Sequence, residues 1–405
     1  MPTPIHRRAV LASAAVSALA APRPARAQNR PLRIGVLGDF SNIGRANSGP
    51  GSVEAAHLAV EEFGSTVLGR PIEVLQADHQ QKPDVGLQIA RQWIDTEGVS
   101  AIADIPNSSV AFAVTDLARA RNRVALVAGA GSSELTNRQC SPNTVHFGFD
   151  TYALAKVATQ PIIAEGGTTW FFIAADYTFG AQLEADARRF IGEAGGAVLG
   201  NVKLPVGTPD FASALLQAQA SGAKVLALAN AGEDTSNALK QAAEFGLVKS
   251  GQRIVSLELF ITDIEAAGLE TAQGAYFATA SYWNMTPKTR AWSKQFFDRV
   301  HLMPTMSHTS VYGSVLHYLK GVREAGTDQA DQVMAAMRSL PISDAFIEHA
   351  TLRADGRVMR PMYLGRVKTP QASKGPWDDV EILKTVPPEE AFRPISESVC
   401  PLLRT

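Results

Sequence analysis

The sequence predicts an α/β fold of two Rossmann-like units, each a parallel sheet flanked by helices. Three observations carry this expectation. Short β-rich runs alternate with helical stretches, the pattern of βαβ units. The pattern restarts near Thr169. Val225–Gly246 (VLALANAGEDTSNALKQAAEFG) also echoes Ala101–Arg119 (AIADIPNSSVAFAVTDLAR): a strand, a small polar elbow, then a helix. A length of 405 residues suits two or three domains.

In the first unit, Leu32–Leu37 (LRIGVL) reads as a buried strand, followed by a Gly/Asn/Ser loop and a helix from Gly51 to Phe63. Strands are expected at Pro71–Gln76, Val99–Ile105 and Val124–Ala128, with helices at Val85–Thr96 and Val110–Ala120. In the second unit, strands are expected at Thr169–Ala174, Ala197–Lys203, Val225–Ala229, Ile254–Leu257 and Ala275–Ala278. The helices between them are Phe179–Ala194, Ala212–Ala220 and Asp234–Phe245. From Thr286 the chain changes to consecutive helices, Arg290–His301, Val311–Ala325 and Asp331–Leu340. His349–Arg353 and Met362–Val367 flank Ala354-Asp355-Gly356 and read as a hairpin. The Pro-, Ser- and charge-rich tail from Thr369 is expected to wrap the surface.

Residues 1–27 read as a secretory signal peptide. A basic stretch (His6, Arg7, Arg8) precedes an apolar run from Ala9 to Ala21, and Ala25-Arg26-Ala27 forms an A-x-A-like cleavage site. Arg7-Arg8 fits either a Sec or a twin-arginine signal. The expected location is the periplasm. Cys140 and Cys400 are an even count in an exported chain. They point to one disulfide that ties the tail to the body, or else to two buried thiols.

Composition excludes some classes. The net charge is −1, with 45% hydrophobic and 19% charged residues. That balance gives no electrostatic case for nucleic acid. No H-E-x-x-H, C-x-x-C, G-x-S-x-G or P-loop pattern occurs, so no metal, cofactor or catalytic residue is expected. Gly49-Pro-Gly51-Ser-Val-Glu54 lies too far from its strand, and lacks the third Gly, for a dinucleotide fingerprint. Asp78-His79 reads as surface loop.

What recurs is a set of small polar elbows after strands: Asp39–Asn47, Pro106–Ser109, Gly129–Ser133, Asp176–Phe179, Asn230–Asp234 and Glu258–Thr262. Ser, Asn and Asp are common helix caps, which is one reading of each elbow. The other is a ligand site, because the C-terminal edge of a parallel sheet is where open α/β folds bind. Helix N-termini there offer free N–H groups to an anion.

With these features, LRIGVLGDFSNIG and the GPGSVEAAHLAVEEF helix, the mature chain resembles the periplasmic solute-binding proteins of ABC importers, branched-chain amino acid (Leu/Ile/Val) type. The resemblance implies a type I periplasmic binding fold, two lobes closing by a three-crossing hinge. It divides the chain into 28–149 plus 282–349, 150–281 plus 350–368, and a tail 369–405. It implies a non-enzymatic, monomeric carrier. Its partners would be a small carboxylate-bearing solute and the subunits of a permease.

The family's carboxylate-binding Ser and backbone–Thr group match Asn107, with Ser108 beside it, and Gly129-Ala130-Gly131. Gly131 replaces the Thr, and Ser132 or Ser133 could compensate. The two family tyrosines fall at Phe179, near Tyr177, and at about Ala231, beside Asn230. The ammonium-binding Glu matches Glu258. These departures leave a second ligand class open, an aromatic carboxylate or an amide or urea, with Phe40, Tyr177, Phe179, Tyr282 and Trp283 as walls. Two further roles stay open: a sensor input on the same fold, and an exported hydrolase or transferase.

Overall fold

The computed structural model describes residue 1 and residues 30–403. Apart from Met1, the expected signal peptide lies outside them. The first lobe runs β1 (Leu32–Gly38), α1 (Gly49–Phe63), β2 (Thr66–Val67), β3 (Arg70–Asp78), α2 (Pro83–Gln92), β4 (Val99–Asp104), α3 (Ser108–Ala120), β5 (Val124–Val127) and β6 (Thr144–His146). Its six strands lie in the order β2-β3-β1-β4-β5-β6, and only β2 pairs antiparallel. Every residue of β4 and β5 is buried. Helices cover both faces of the sheet, so these strands show continuous apolar runs and no alternation.

The second lobe runs α4 (Thr151–Ala164), β7 (Thr169–Ala175), α5 (Thr178–Glu193), β8 (Ala197–Leu204), α6 (Ala212–Ala220), β9 (Val225–Ala229), α7 (Glu233–Glu244), β10 (Arg253–Glu258), α8 (Ile261–Ala267), α9 (Leu269–Ala272) and β11 (Tyr276–Thr279). Next come α10 (Pro287–Val300), α11 (Met306–Ala325), α12 (Ala330–Ser339), β12 (Thr351–Leu352) and β13 (Val358–Met359). The chain finishes with β14 (Met362–Val367), β15 (Val380–Val386) and α13 (Pro388–Ala391). The second sheet has seven strands in the order β15-β14-β11-β10-β9-β7-β8. Its central strands are parallel, while β14 and β15 add antiparallel at one edge.

Core membership marks three crossings between lobes. Phe147 packs in the first core and Phe149 in the second. Ala280 is in the second and Trp292 in the first. Val358 is in the first and Met362 in the second. Helix α11 is buried along nearly all its length. Two of its serine hydroxyls are satisfied within the helix, Ser310 Oγ donating to Met306 O at 2.6 Å and Ser314 Oγ to Val311 O at 3.0 Å. It lies so close to α1 that a Cβ on Gly51 would sit 2.7 Å from a ring carbon of His308.

The structure departs from the sequence reading in four places. The hairpin is β12 with β13, not β12 with β14. Asp355 closes its turn by accepting from the Arg357 N–H and the Arg353 guanidinium. Residues 350–358 therefore pack on the first lobe's core. The stretch expected only to wrap the surface supplies the edge strand β15. Helix α4 has no counterpart in the expectation. Asp150 caps it, accepting from the Ala153 N–H at 2.8 Å, but Pro161 inside it reads as a breaker. His79 is fully buried rather than on a surface loop, and it accepts from the Gln81 N–H. Burial holds its pKa below the ordinary imidazole value. Cys140 and Cys400 are bonded, with Cα atoms 5.9 Å apart.

Candidate ligand-binding site

A cavity lies between the lobes. Ile43, Gly44, Asn47, Gln81, Pro106 and Gly129 line it from the first lobe. Tyr177, Phe179, Ala231, Gly232, Glu258 and Phe260 face them from the second, with Ser307 from the start of α11. These residues sit just after β1, β3, β4 and β5, and at the ends of β7, β9 and β10. The site is thus built where parallel sheets direct their C-terminal edges.

The lobes touch around the cavity. Ser109 Oγ and Thr178 Oγ1 are 2.8 Å apart. Thr262 Oγ1 donates to Asn47 Oδ1 at 2.5 Å, and the Glu233 N–H donates to Ile43 O at 3.3 Å. Gly232, at φ +61°, presents bare backbone to Ile43: a Cβ there would sit 2.3 Å from Ile43 O. The structure is therefore a closed arrangement of the two lobes.

The elbow after β4 is more occupied than its sequence suggests. Asn107 Oδ1 accepts from the N–H groups of Ser109 and Val110, at 2.9 and 3.1 Å. Its amide donates to Gln81 Oε1 at 2.6 Å, and Gln81 Nε2 donates to Asp39 Oδ2 at 2.6 Å. Of the elbow's N–H groups expected to meet a ligand, that of Ser109 is thus held by the cap. Ser108 Oγ accepts from the Ser132 N–H. Ser132 Oγ in turn caps the short turn that follows, accepting from the Glu134 N–H. Ala130 O faces His146 Nε2 at 2.8 Å, and Gly131 O accepts from the Thr151 N–H. Among the described residues, the N–H groups of Ser108, Ala130 and Gly131 have no hydrogen-bond acceptor. Gly131 has no side chain because Phe179 closes on it from the other lobe; a Cβ would sit 2.6 Å from the ring.

On the opposite wall, Glu258 is 3% exposed. No side chain or backbone group among the described residues hydrogen-bonds its carboxyl. Burial, with a smaller contribution from Asp263, pushes its pKa well above the ordinary carboxyl value. Burial likewise pushes Asp263 up to about 7, although the Phe260 N–H and the Asn47 amide donate to it. The Tyr177 hydroxyl is pushed upward by burial and by Glu258. No lining residue is a Lys, Arg or His. Among the described residues, no cluster could hold a metal ion.

Gly129, Tyr177, Phe179 and Glu258 are thus brought together in one cavity, while Ala130, Gly131, Asn107, Ser108 and Ser132 are not among its lining residues. Asn230 turns inward, accepting from Thr235 Oγ1. Tyr282 stands elsewhere: it lines a separate small cavity, and its hydroxyl donates to Trp377 O. Trp283 donates to the same carbonyl. Gln81 and Ser307 lie outside every elbow read from the sequence, whereas Gly232 and Phe260 fall inside two of them without being singled out. A glycine at the start of an elbow helix was the available signal for Gly232.

Comparison with known proteins agrees with this architecture. The periplasmic binding protein family model matches residues 31–376. A periplasmic binding protein structure from Burkholderia mallei superposes with a TM-score of 0.90 at 41% identity, covering 92% of this chain and 99% of that one. A branched chain amino acid ABC transporter periplasmic ligand-binding protein from Burkholderia xenovorans LB400 follows with a TM-score of 0.83 at 38% identity, covering 92% and 100%. A Leu/Ile/Val-binding protein homolog from Brucella abortus is 26% identical over 54% of this chain. That match spans 56% of the relative, so the chain aligns with about half the length of the curated relatives it matches. The chain belongs to the periplasmic binding protein family, whose members are solute-binding components of ABC transporters, and it is similar within that family to the Leu/Ile/Val type.

Proposed function

We infer that this chain captures a small amino acid between its lobes in the periplasm and presents it to an ABC permease, after export by the leader at 1–27. The observation that carries this reading is Glu258. A buried carboxyl with no protein partner, in a cavity without a basic side chain, calls for a cationic group from the ligand. An α-ammonium supplies it. The unpaired N–H groups of Ser108, Ala130 and Gly131 suit the ligand's carboxylate. Phe179, Phe260 and Ile43 offer apolar contact to a side chain such as that of leucine.

A second reading is favoured by the three rings Tyr177, Phe179 and Phe260. With Glu258 protonated, its O–H could donate to an aromatic carboxylate or an amide. A thermal-shift screen against L-leucine, L-valine, urea, acetamide and benzoate separates the two. A ligand at a hundredfold excess over its Kd adds about 2.7 kcal/mol. The amino acid reading expects a shift with leucine or valine that Glu258→Gln strongly reduces. A shift with benzoate alone, unchanged in that variant, would support the second reading instead.

A further inference from the structure

The three crossings are not the only link between the lobes. After β15 the chain stays on the second lobe: Phe392 is 1% exposed within that lobe's core. Glu397 is fixed there too, pairing with Arg189 of α5 at 2.8 Å and accepting from the Tyr152 hydroxyl. One residue later the chain changes lobe. Ser398 Oγ and the Val399 N–H both donate to Asn137 Oδ1 of the first lobe. Cys400 is then bonded to Cys140 in the segment leading to β6.

We propose that this tail is a covalent strap that limits how far and in which direction the lobes open. Only three peptide units separate Glu397, anchored on one lobe, from Cys400, bonded to the other. Fully extended, they span about 10 Å. While Glu397 holds Arg189, the first lobe cannot leave the second by more than this at the strap's edge. Arg393 supports the same path, donating to Ser133 Oγ of the first lobe while its guanidinium lies over the Tyr152 ring of the second. The strap thus runs beside the Phe147–Phe149 crossing as a fourth connection. Narrowing the open ensemble lowers the entropy lost on closure, so the strap favours ligand capture.

The test is small-angle X-ray scattering of the ligand-free full-length mature protein. A Gly-Gly-Ser insertion between Ser398 and Val399 keeps the disulfide and adds only slack. It should raise the radius of gyration and the maximum dimension above wild type. Cys140→Ser/Cys400→Ser should raise them at least as much, and Glu397→Gln by less. Far-UV circular dichroism reports whether each variant is folded. If the double variant does not fold, the insertion still decides. Scattering from the folded insertion variant identical to wild type would overturn the proposal. This outcome is independent of which ligand the cleft binds.

Discussion

In the proposed reading, Glu258 sets the chemistry of the cleft. Removing one partner of a buried charged pair costs about 2–5 kcal/mol. Glu258→Gln should therefore weaken an amino acid ligand by roughly 30-fold or more, read by titration calorimetry. Because burial raises the Glu258 pKa, its carboxylate form is lost as pH falls, so amino acid affinity should fall in the same direction. Asp104 offers a separate test at the residue scale. It is fully buried, with one oxygen hydrogen-bonded by Ser48 Oγ and the other unpartnered. Burial pushes its pKa up to about 7. The folded chain then keeps a proton that the unfolded chain loses above about pH 4. Stability falls as pH rises through this window. Asp104→Asn lacks that slope and keeps a side chain tolerant of the φ of +74° found there. It should raise Tm at pH 8 and change it little at pH 5. Glu258 was legible in the sequence through the family match. Asp104 was not, because it reads as the end of a strand, and only the fold shows that its carboxyl points inward.

At the scale of elements, the cleft is made by strand ends and helix starts. Asn107 caps α3 and so fixes the elbow that follows β4. Asn107→Ala should cost about 1 kcal/mol, seen as a lower urea midpoint at unchanged m-value. Gly232 is the element-scale control on closure. Any side chain there meets Ile43 O and must also adopt a positive φ. Gly232→Ala should weaken ligand binding at least tenfold and leave the scattering profile open after ligand is added. Unchanged affinity would show that closure does not bring these two loops together. The alternating elements were legible because parallel strands are continuous apolar runs and their helices keep a clear period. Helix α4 is obscured in the sequence by Pro161, a helix breaker inside it. Tyr282 was expected as an aromatic wall of the cleft, but its hydroxyl donates to Trp377 O at a separate cavity instead.

At the scale of the molecule, two cores joined by three short crossings leave closure as the main freedom, and the strap reduces it further. The order of strands, elbows and helices made the two-lobe plan readable from the sequence. The edge strand β15 was not readable, since VEILKTV lies in a Pro- and charge-rich tail and finds its place only by pairing with β14. In the proposed function, the cleft recognises an ammonium through Glu258. Calorimetric titration of the wild-type protein with L-leucine and with 4-methylpentanoate, the same molecule without its amino group, tests this most directly. Leucine should bind, and the deaminated acid should bind at least about 30-fold more weakly. Equal affinity for the two would contradict it.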